Sequence, residues 1–301
     1  METKNKILLI VNPISGDRNK DKMIEEVRER VKEHDMKLVV YKTDGHNDFQ
    51  KIVKRIEESQ PVRLLVAGGD GTVKMVAEIL EDEEIPIGII PAGSANGLAT
   101  NLGITGDIEQ LLDIALSDHF IIMDTLLLND TVSLHIADLG LNAALIKNYE
   151  DSSIRGKLGY MLSAIPTLSQ TEYPFTFKIE ANGEKTTETG ILLAIANATT
   201  FGTGANINPT GKVDDGKFEV LVFKKLDLVE IVKTLYGEVE MDPEFVSTIC
   251  TTEATITCQK KIAFQIDGEY MGETDRVTAK LNHKKIKVAV PHNKMENAAP
   301  R

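Results

Sequence analysis

Leu64-Leu65-Val66-Ala67-Gly68-Gly69-Asp70-Gly71-Thr72 decides how this chain must fold. Its first four residues form an apolar run of the kind found in strands buried on both faces. The glycines end that run, and Val73, Val76, Ala77 and Leu80 then recur at the spacing of one helix face. Three glycines in four positions lose much backbone entropy unless positive φ or close approach is required. A strand, a glycine turn and a helix N-terminus make a phosphate cradle, because the first N–H groups of a helix lack intrahelical partners. Asp70 would repel a phosphate. It fits better as a ligand in a magnesium network, a partner to a hydroxyl, or a base. The plainer alternative is a tight turn in which Asp70 caps the helix.

The same unit repeats on either side. Residues 7–11 (ILLIV) read as a buried strand, and Met23, Ile24, Val27 and Val31 as a helix face. Residues 38–41 form a second strand, followed by a helix bearing Phe49, Ile52, Val53 and Ile56. Beyond the glycines, residues 85–90 are a fourth strand, and Ile108, Leu111, Leu112 and Ala115 line a further helix. Alternation of this kind predicts an α/β domain over residues 1–125, with a mostly parallel sheet and helices on both faces.

Residues 126–290 follow a different period. Phe175, Phe177 and Ile179 alternate, and Asn182-Gly183 supplies a two-residue hairpin turn. Further strands are expected at 191–196, 218–223, 255–258, 262–266 and 285–290, with one helix near 157–168. The expectation is an antiparallel, sandwich-like second domain, with residues 291–301 packing back on the first.

Two more loops follow apolar strands, at the edge of the sheet where open α/β folds bind ligands. Asn12-Pro13-Ile14-Ser15-Gly16 exposes backbone N–H groups, although alone such a turn is an ordinary connector. In Pro91-Ala92-Gly93-Ser94-Ala95-Asn96-Gly97, Gly93 permits close approach while Ser94 and Asn96 offer neutral hydrogen bonds.

Charge excludes some functions. Against 46 acidic residues stand 34 basic ones, a formal charge of −12. A nucleic-acid binder needs a basic face, so none is expected as a partner. Strong docking on anionic membranes is excluded as well. No apolar run approaches the ~18 residues of a membrane span, and residues 7–11 are too short for a signal peptide's apolar region. A cytoplasmic protein is expected. Cys250 and Cys258 match no zinc or redox spacing.

The three loops, in this order and spacing, resemble the catalytic domain of the diacylglycerol kinase and sphingosine kinase superfamily, and the soluble bacterial lipid kinases in particular. The resemblance extends into the second half through Lys157-Leu158-Gly159-Tyr160, Asp215-Gly216 and Asp267-Gly268-Glu269. It implies a lipid kinase that uses ATP and Mg²⁺ and meets its lipid transiently at the membrane surface, with a homodimer left open. Asn12, Pro13, Ser15, Gly16, Thr43, Gly68, Gly69, Asp70, Gly71, Thr72 and Ser94 match positions that hold ATP, and Gly93 and Asn96 lie in the same loop as Ser94. Asp124 matches an acid in a water and magnesium network. Asp215, with the carbonyls of Lys212 and Lys217, matches a structural magnesium site. Glu269 matches the proton acceptor, with Asp267 two residues before it. On a strand the two would face one side, and Asp70 is the fallback base. Gly97 departs from the pattern, because many bacterial diacylglycerol kinases have Asp there. That leaves the acceptor open among diacylglycerol, a sphingoid base, ceramide and phosphatidylglycerol. NAD kinases share Gly-Gly-Asp-Gly but are not expected to carry the third loop. A nucleotide or lipid sensor without turnover is the alternative from another class.

Overall fold

The computed structural model describes residues 5–16, 19–80, 85–94, 96–150, 172–201, 205–225 and 242–292. The chain divides into two compact units, Met1–Met123 with His283–Arg301, and Asp124–Asn282.

In the first unit, strands β1 (Lys6–Val11), β2 (Lys37–Lys42), β3 (Arg63–Gly68) and β4 (Ile87–Pro91) are all parallel, in the order β4-β3-β1-β2. Helices α1 (Lys20–Glu33), α2 (Asp48–Ser59), α3 (Asp70–Ile79), α4 (Gly97–Asn101) and α5 (Ile108–Leu116) connect and cover them. Every residue of the 7–11 run is fully buried. Each such side chain contributes about 1.5–3 kcal/mol of burial, which is why the run cannot lie at a surface. Met23, Ile24, Val27 and Val31 pack on it from α1, whose N-terminus is capped by the Asn19 side chain. Asp107 and Gln110 form a reciprocal capping box on α5.

The second unit is antiparallel. Its strands are β6 (Thr131–Ser133), β7 (Ile136–Gly140), β8 (Phe175–Ala181), β9 (Glu184–Gly190), β10 (Leu192–Ala196), β13 (Phe218–Phe223), β14 (Val246–Thr251) and β15 (Glu253–Ile266). A two-stranded piece, β11 (Thr200–Phe201) with β12 (Ala205–Asn206), stands apart from the larger sheet. Strand β5 (Phe120–Leu128) enters this unit, β16 (Glu269–Ala289) leaves it, and helix α6 (Leu141–Glu150) follows β7. Asn182 and Gly183 both have positive φ, as a two-residue hairpin between β8 and β9 requires.

Two readings need correction. Residues 255–258 and 262–266 are not separate strands. They are the ends of β15, which pairs with β8 over 254–258 and with β7 over 264–266, across a register shift. Residues 283–290 belong to the first unit, not the second, because β16 runs on for 21 residues and Val288 pairs parallel with Ile87 of β4. Beyond it, the Val290 N–H donates to the His119 carbonyl at 2.9 Å. The helix expected near 157–168, the 157–160 motif and residues 293–301 lie outside the described residues.

Candidate active site

Parallel strands deliver their loops to one edge, and the ladder carries the loops a little way out of the sheet. The Asn12 N–H donates to the Ala67 carbonyl, Thr43 to Val11 and Ala92 to Gly68, each at 2.9 Å. Thr43 is buried beside the first loop, while Pro13 is exposed on it.

The three loops are bonded to one another. Asn12 Oδ1 accepts the Ile14 N–H at 3.2 Å, and its Nδ2 donates to Thr72 Oγ1 at 3.4 Å. The Ser15 hydroxyl donates to the Asn12 carbonyl at 2.9 Å. Gly16 has φ +55, and a Cβ there would lie 2.5 Å from the Ala92 carbonyl oxygen. The buried Lys20 ammonium donates to that same carbonyl at 3.3 Å. Gly69 and Gly93 meet backbone to backbone, since a Cβ on Gly93 would lie 2.5 Å from the Gly69 Cα. These glycines are therefore needed for contact between loops, not only for approach of a ligand.

Asp70 does not cap α3. Its Oδ2 accepts the Gly97 N–H at 2.8 Å and its Oδ1 the Leu98 N–H at 3.0 Å, so it caps α4 instead. This corrects both sequence-based options: each oxygen already holds a backbone donor, which leaves Asp70 poorly placed as a base. The N-terminus of α3 has Gly69 at its cap and no side-chain cap bond. Gly71 and Ser94 are exposed nearby, and Thr72 is buried with its hydroxyl against Gly68. Asn96, at φ +52, accepts the Gly93 N–H at 2.8 Å and donates to the Gly93 carbonyl at 2.9 Å. It braces its own loop.

The second unit holds the remaining acids. Asp124 is buried; its Oδ2 accepts the Gly216 N–H at 2.7 Å, and its own N–H donates to the Val213 carbonyl at 2.7 Å. Asp215 is exposed, and its Oδ1 accepts the Lys217 N–H at 3.1 Å. The structure thus brings Asp124 onto the loop of Asp215, Lys212 and Lys217, although the resemblance assigns them to two magnesium sites. Among the described residues no three His, Cys, Asp or Glu side chains converge as a metal cage.

Asp267 and Glu269 are not neighbours on one strand face. Asp267 (φ +52) and Gly268 (φ +89) form the two-residue turn between β15 and β16, with Ile266 paired to Glu269. The Asp267 carboxylate accepts the Ser133 hydroxyl at 3.0 Å and the N–H groups of Leu134 and His135 at 3.0 and 2.9 Å. Three donors make it a brace for residues 133–135, whereas Glu269 is exposed. Two residues behind this turn escaped the sequence reading. Gln265 is fully buried on β15 and stands opposite Asp138 of β7, itself 1% exposed. Burial pushes the Asp138 carboxyl up to about 7, against the opposing hydrogen bonds of Gln265, Asn142 and the Ala143 backbone. An acid inside the apolar strand Ile136-Ala137-Asp138-Leu139 was the available signal. For Lys20 it was a cation four residues beyond Gly16.

Comparison with known proteins agrees with this architecture. Residues 6–128 match the diacylglycerol kinase catalytic domain, and residues 136–290 match the YegS C-terminal NAD kinase beta sandwich-like domain. A protein of Chromohalobacter salexigens described as a probable YegS-like lipid kinase is 28% identical, over 83% of this chain and 84% of its own. The diacylglycerol kinase of Bacillus subtilis is 25% identical over 96% and 97%. Among solved structures, a diacylglycerol kinase of Bacillus anthracis covers 97% of this chain and 99% of its own, with TM-score 0.74 and 17% identity. An ATP complex of the Archaeoglobus fulgidus NAD kinase covers 97% and 96%, with TM-score 0.54 and 11% identity, a likeness of fold. With its two matched domains spanning most of its length, the chain belongs to the kinase family built from a diacylglycerol kinase catalytic domain and a YegS-type β-sandwich domain.

Proposed function

We propose that this protein is an ATP-dependent lipid kinase that transfers the γ-phosphate to a hydroxyl of diacylglycerol. The observation that carries the reading is the start of α3. It lacks a side-chain cap and is flanked by Gly68, Gly69 and Gly71, and its one carboxylate, Asp70, is engaged with Gly97 and Leu98. A helix end of this kind favours a phosphate. The buried Lys20 ammonium at Ala92 adds positive charge to the loop cluster. Thr43, Ser15 and Ser94 are the neutral polar groups at the same sheet edge. Phosphoryl transfer demands positioning and charge neutralisation more than covalent help, which suits a site of backbone donors.

Mg²⁺ fits these residues in the way that cation is usually held, by one or two carboxylates with phosphate oxygens and water completing the octahedron. Asp70 and Asp124 are the carboxylates that would serve the nucleotide, and Asp215 with the Lys212 and Lys217 carbonyls the second-unit loop. Bound there, the metal neutralises charge on the phosphates. The chain's own part in the chemistry falls to Glu269. Its carboxylate takes the proton of the lipid hydroxyl as that oxygen bonds to the γ-phosphorus, and the bond to the β-phosphate oxygen breaks to leave ADP. With −12 overall, contact with the membrane is peripheral and transient.

Transfer of label from γ-labelled ATP tests this across mixed micelles of diacylglycerol, ceramide, a sphingoid base and phosphatidylglycerol, with NAD as a soluble acceptor. Label should enter the diacylglycerol fraction. Label confined to NAD, or to none of them, would overturn the assignment.

A further inference from the structure

Behind the 267–268 turn lies a chain of hydrogen bonds that begins at a buried acid and ends at the backbone beside Glu269. Asp138 Oδ2 accepts from Asn142 Nδ2 at 2.6 Å and from Gln265 Nε2. Gln265 Oε1 in turn accepts the Gly268 N–H at 2.7 Å. Asp138 Oδ1 is buried without a partner of ordinary hydrogen-bond geometry. An unsatisfied, fully buried carboxylate oxygen is a destabilising feature that a protein has no structural reason to keep.

We propose that Asp138 and Gln265 form a relay that positions the Glu269 turn, and that the protonation state of Asp138 sets whether the turn is held. This rests on the reading of Glu269 as proton acceptor. An ionised carboxylate only accepts, so it forces the Gln265 amide to present Nε2 to Asp138 and Oε1 to Gly268. A protonated Asp138 can donate to Oε1 instead. The flipped amide then faces the Gly268 N–H with its own NH₂, donor against donor, and the turn loses its anchor. Among the described residues no charged group competes for Asp138. Its strand neighbours are Ala194 on β10 and Gln265 on β15, and α6 contributes Asn142 and the Ala143 backbone. Burial places its titration at about 7, where the relay can switch under ordinary conditions.

The test joins an NMR titration to kinetics. In the wild-type protein the Gly268 amide resonance should titrate between about pH 5.5 and about pH 8, and turnover should fall on the acid side of that transition. In Asp138→Asn both transitions should vanish, with turnover at about pH 8 reduced about tenfold and the KM for ATP within about twofold, because a displaced base affects the chemical step alone. Asp138→Asn with Gln265→Glu re-creates every bond with donor and acceptor exchanged, and should recover most of the lost turnover at that pH. A Gly268 amide indifferent to pH, an unchanged acid limb in Asp138→Asn, or a double variant no better than the single would overturn the relay. An enzyme silent toward every lipid would instead sink the lipid-kinase reading, while the Gly268 titration would still decide the relay.

Discussion

Asp70 reaches across from α3 to hold the N–H of Gly97 at 2.8 Å, and that of Leu98 beside it at 3.0 Å. One carboxylate therefore ties the second loop to the third. Asp70→Asn replaces an acceptor by a donor against one of those N–H groups. The expected loss is about 1–3 kcal/mol of stability, with weaker ATP binding as the two loops part. A variant with wild-type melting and nucleotide affinity but much reduced turnover would return Asp70 to the role of base.

Gly93 is the tightest point between the same loops. Alanine there would set a Cβ 2.5 Å from the Gly69 Cα and 2.9 Å from Asn96 Oδ1, whereas alanine at Gly69 meets its nearest neighbour at 3.3 Å. Overpacking of backbone on backbone costs about 1–3 kcal/mol. Gly93→Ala should therefore melt lower than Gly69→Ala, and calorimetry of the pair checks the order. Equal melting temperatures would mean the loops can separate freely.

Asp267 and Glu269 should divide cleanly between stability and turnover. Asp267→Asn removes an acceptor from a group holding Ser133, Leu134 and His135, and should destabilise the protein by about 1–3 kcal/mol. Glu269→Gln touches an exposed side chain, so melting should barely move while turnover falls about 10²-fold or more. Denaturation and single-turnover rates on both variants settle it. A destabilised Glu269→Gln with normal turnover would make the exposed acid structural.

These pairs also mark what could be read from the chain alone. Periodicity carries the first unit, because Met23, Ile24, Val27 and Val31 have one energetically acceptable place, against the 7–11 strand. Asn182-Gly183 announces its hairpin through positive φ. Residues 255–266 read as two strands because the register shift within β15 interrupts the alternation. The destination of a side chain is another matter. Asp70 precedes its partners by 27 and 28 residues, and Asp267 follows its own by more than 130. Nothing in local spacing tells a carboxylate which distant N–H it will find. Asp267-Gly268 had a turn signature as clear as Asn182-Gly183, yet the pull of two acids toward a shared catalytic role obscured it. Asp138 and Gln265 acquire meaning only when β7 and β15 lie side by side.

Asp138 also links the pH dependence of stability to that of the relay, with opposite signs. Its folded pKa of about 7 stands above the ordinary value of 3.8, so between them the folded protein binds the proton that the unfolded chain releases. Stability from this group is complete below about 3.8 and is lost as pH rises through about 7. The shift of about three units corresponds to something on the order of 4 kcal/mol. Urea unfolding across that window should show wild-type stability falling with pH relative to Asp138→Asn, and the gap should level off above about pH 8. If the two curves run parallel, Asp138 is not neutral in the folded state at low pH and its burial has been compensated. A parallel result would also remove the relay's trigger, because a carboxylate ionised throughout cannot release Gln265. If the curves diverge as expected, the ionised form that holds Gly268 is the less stable one, and the protein keeps a destabilising charge at the point where the Glu269 turn is set.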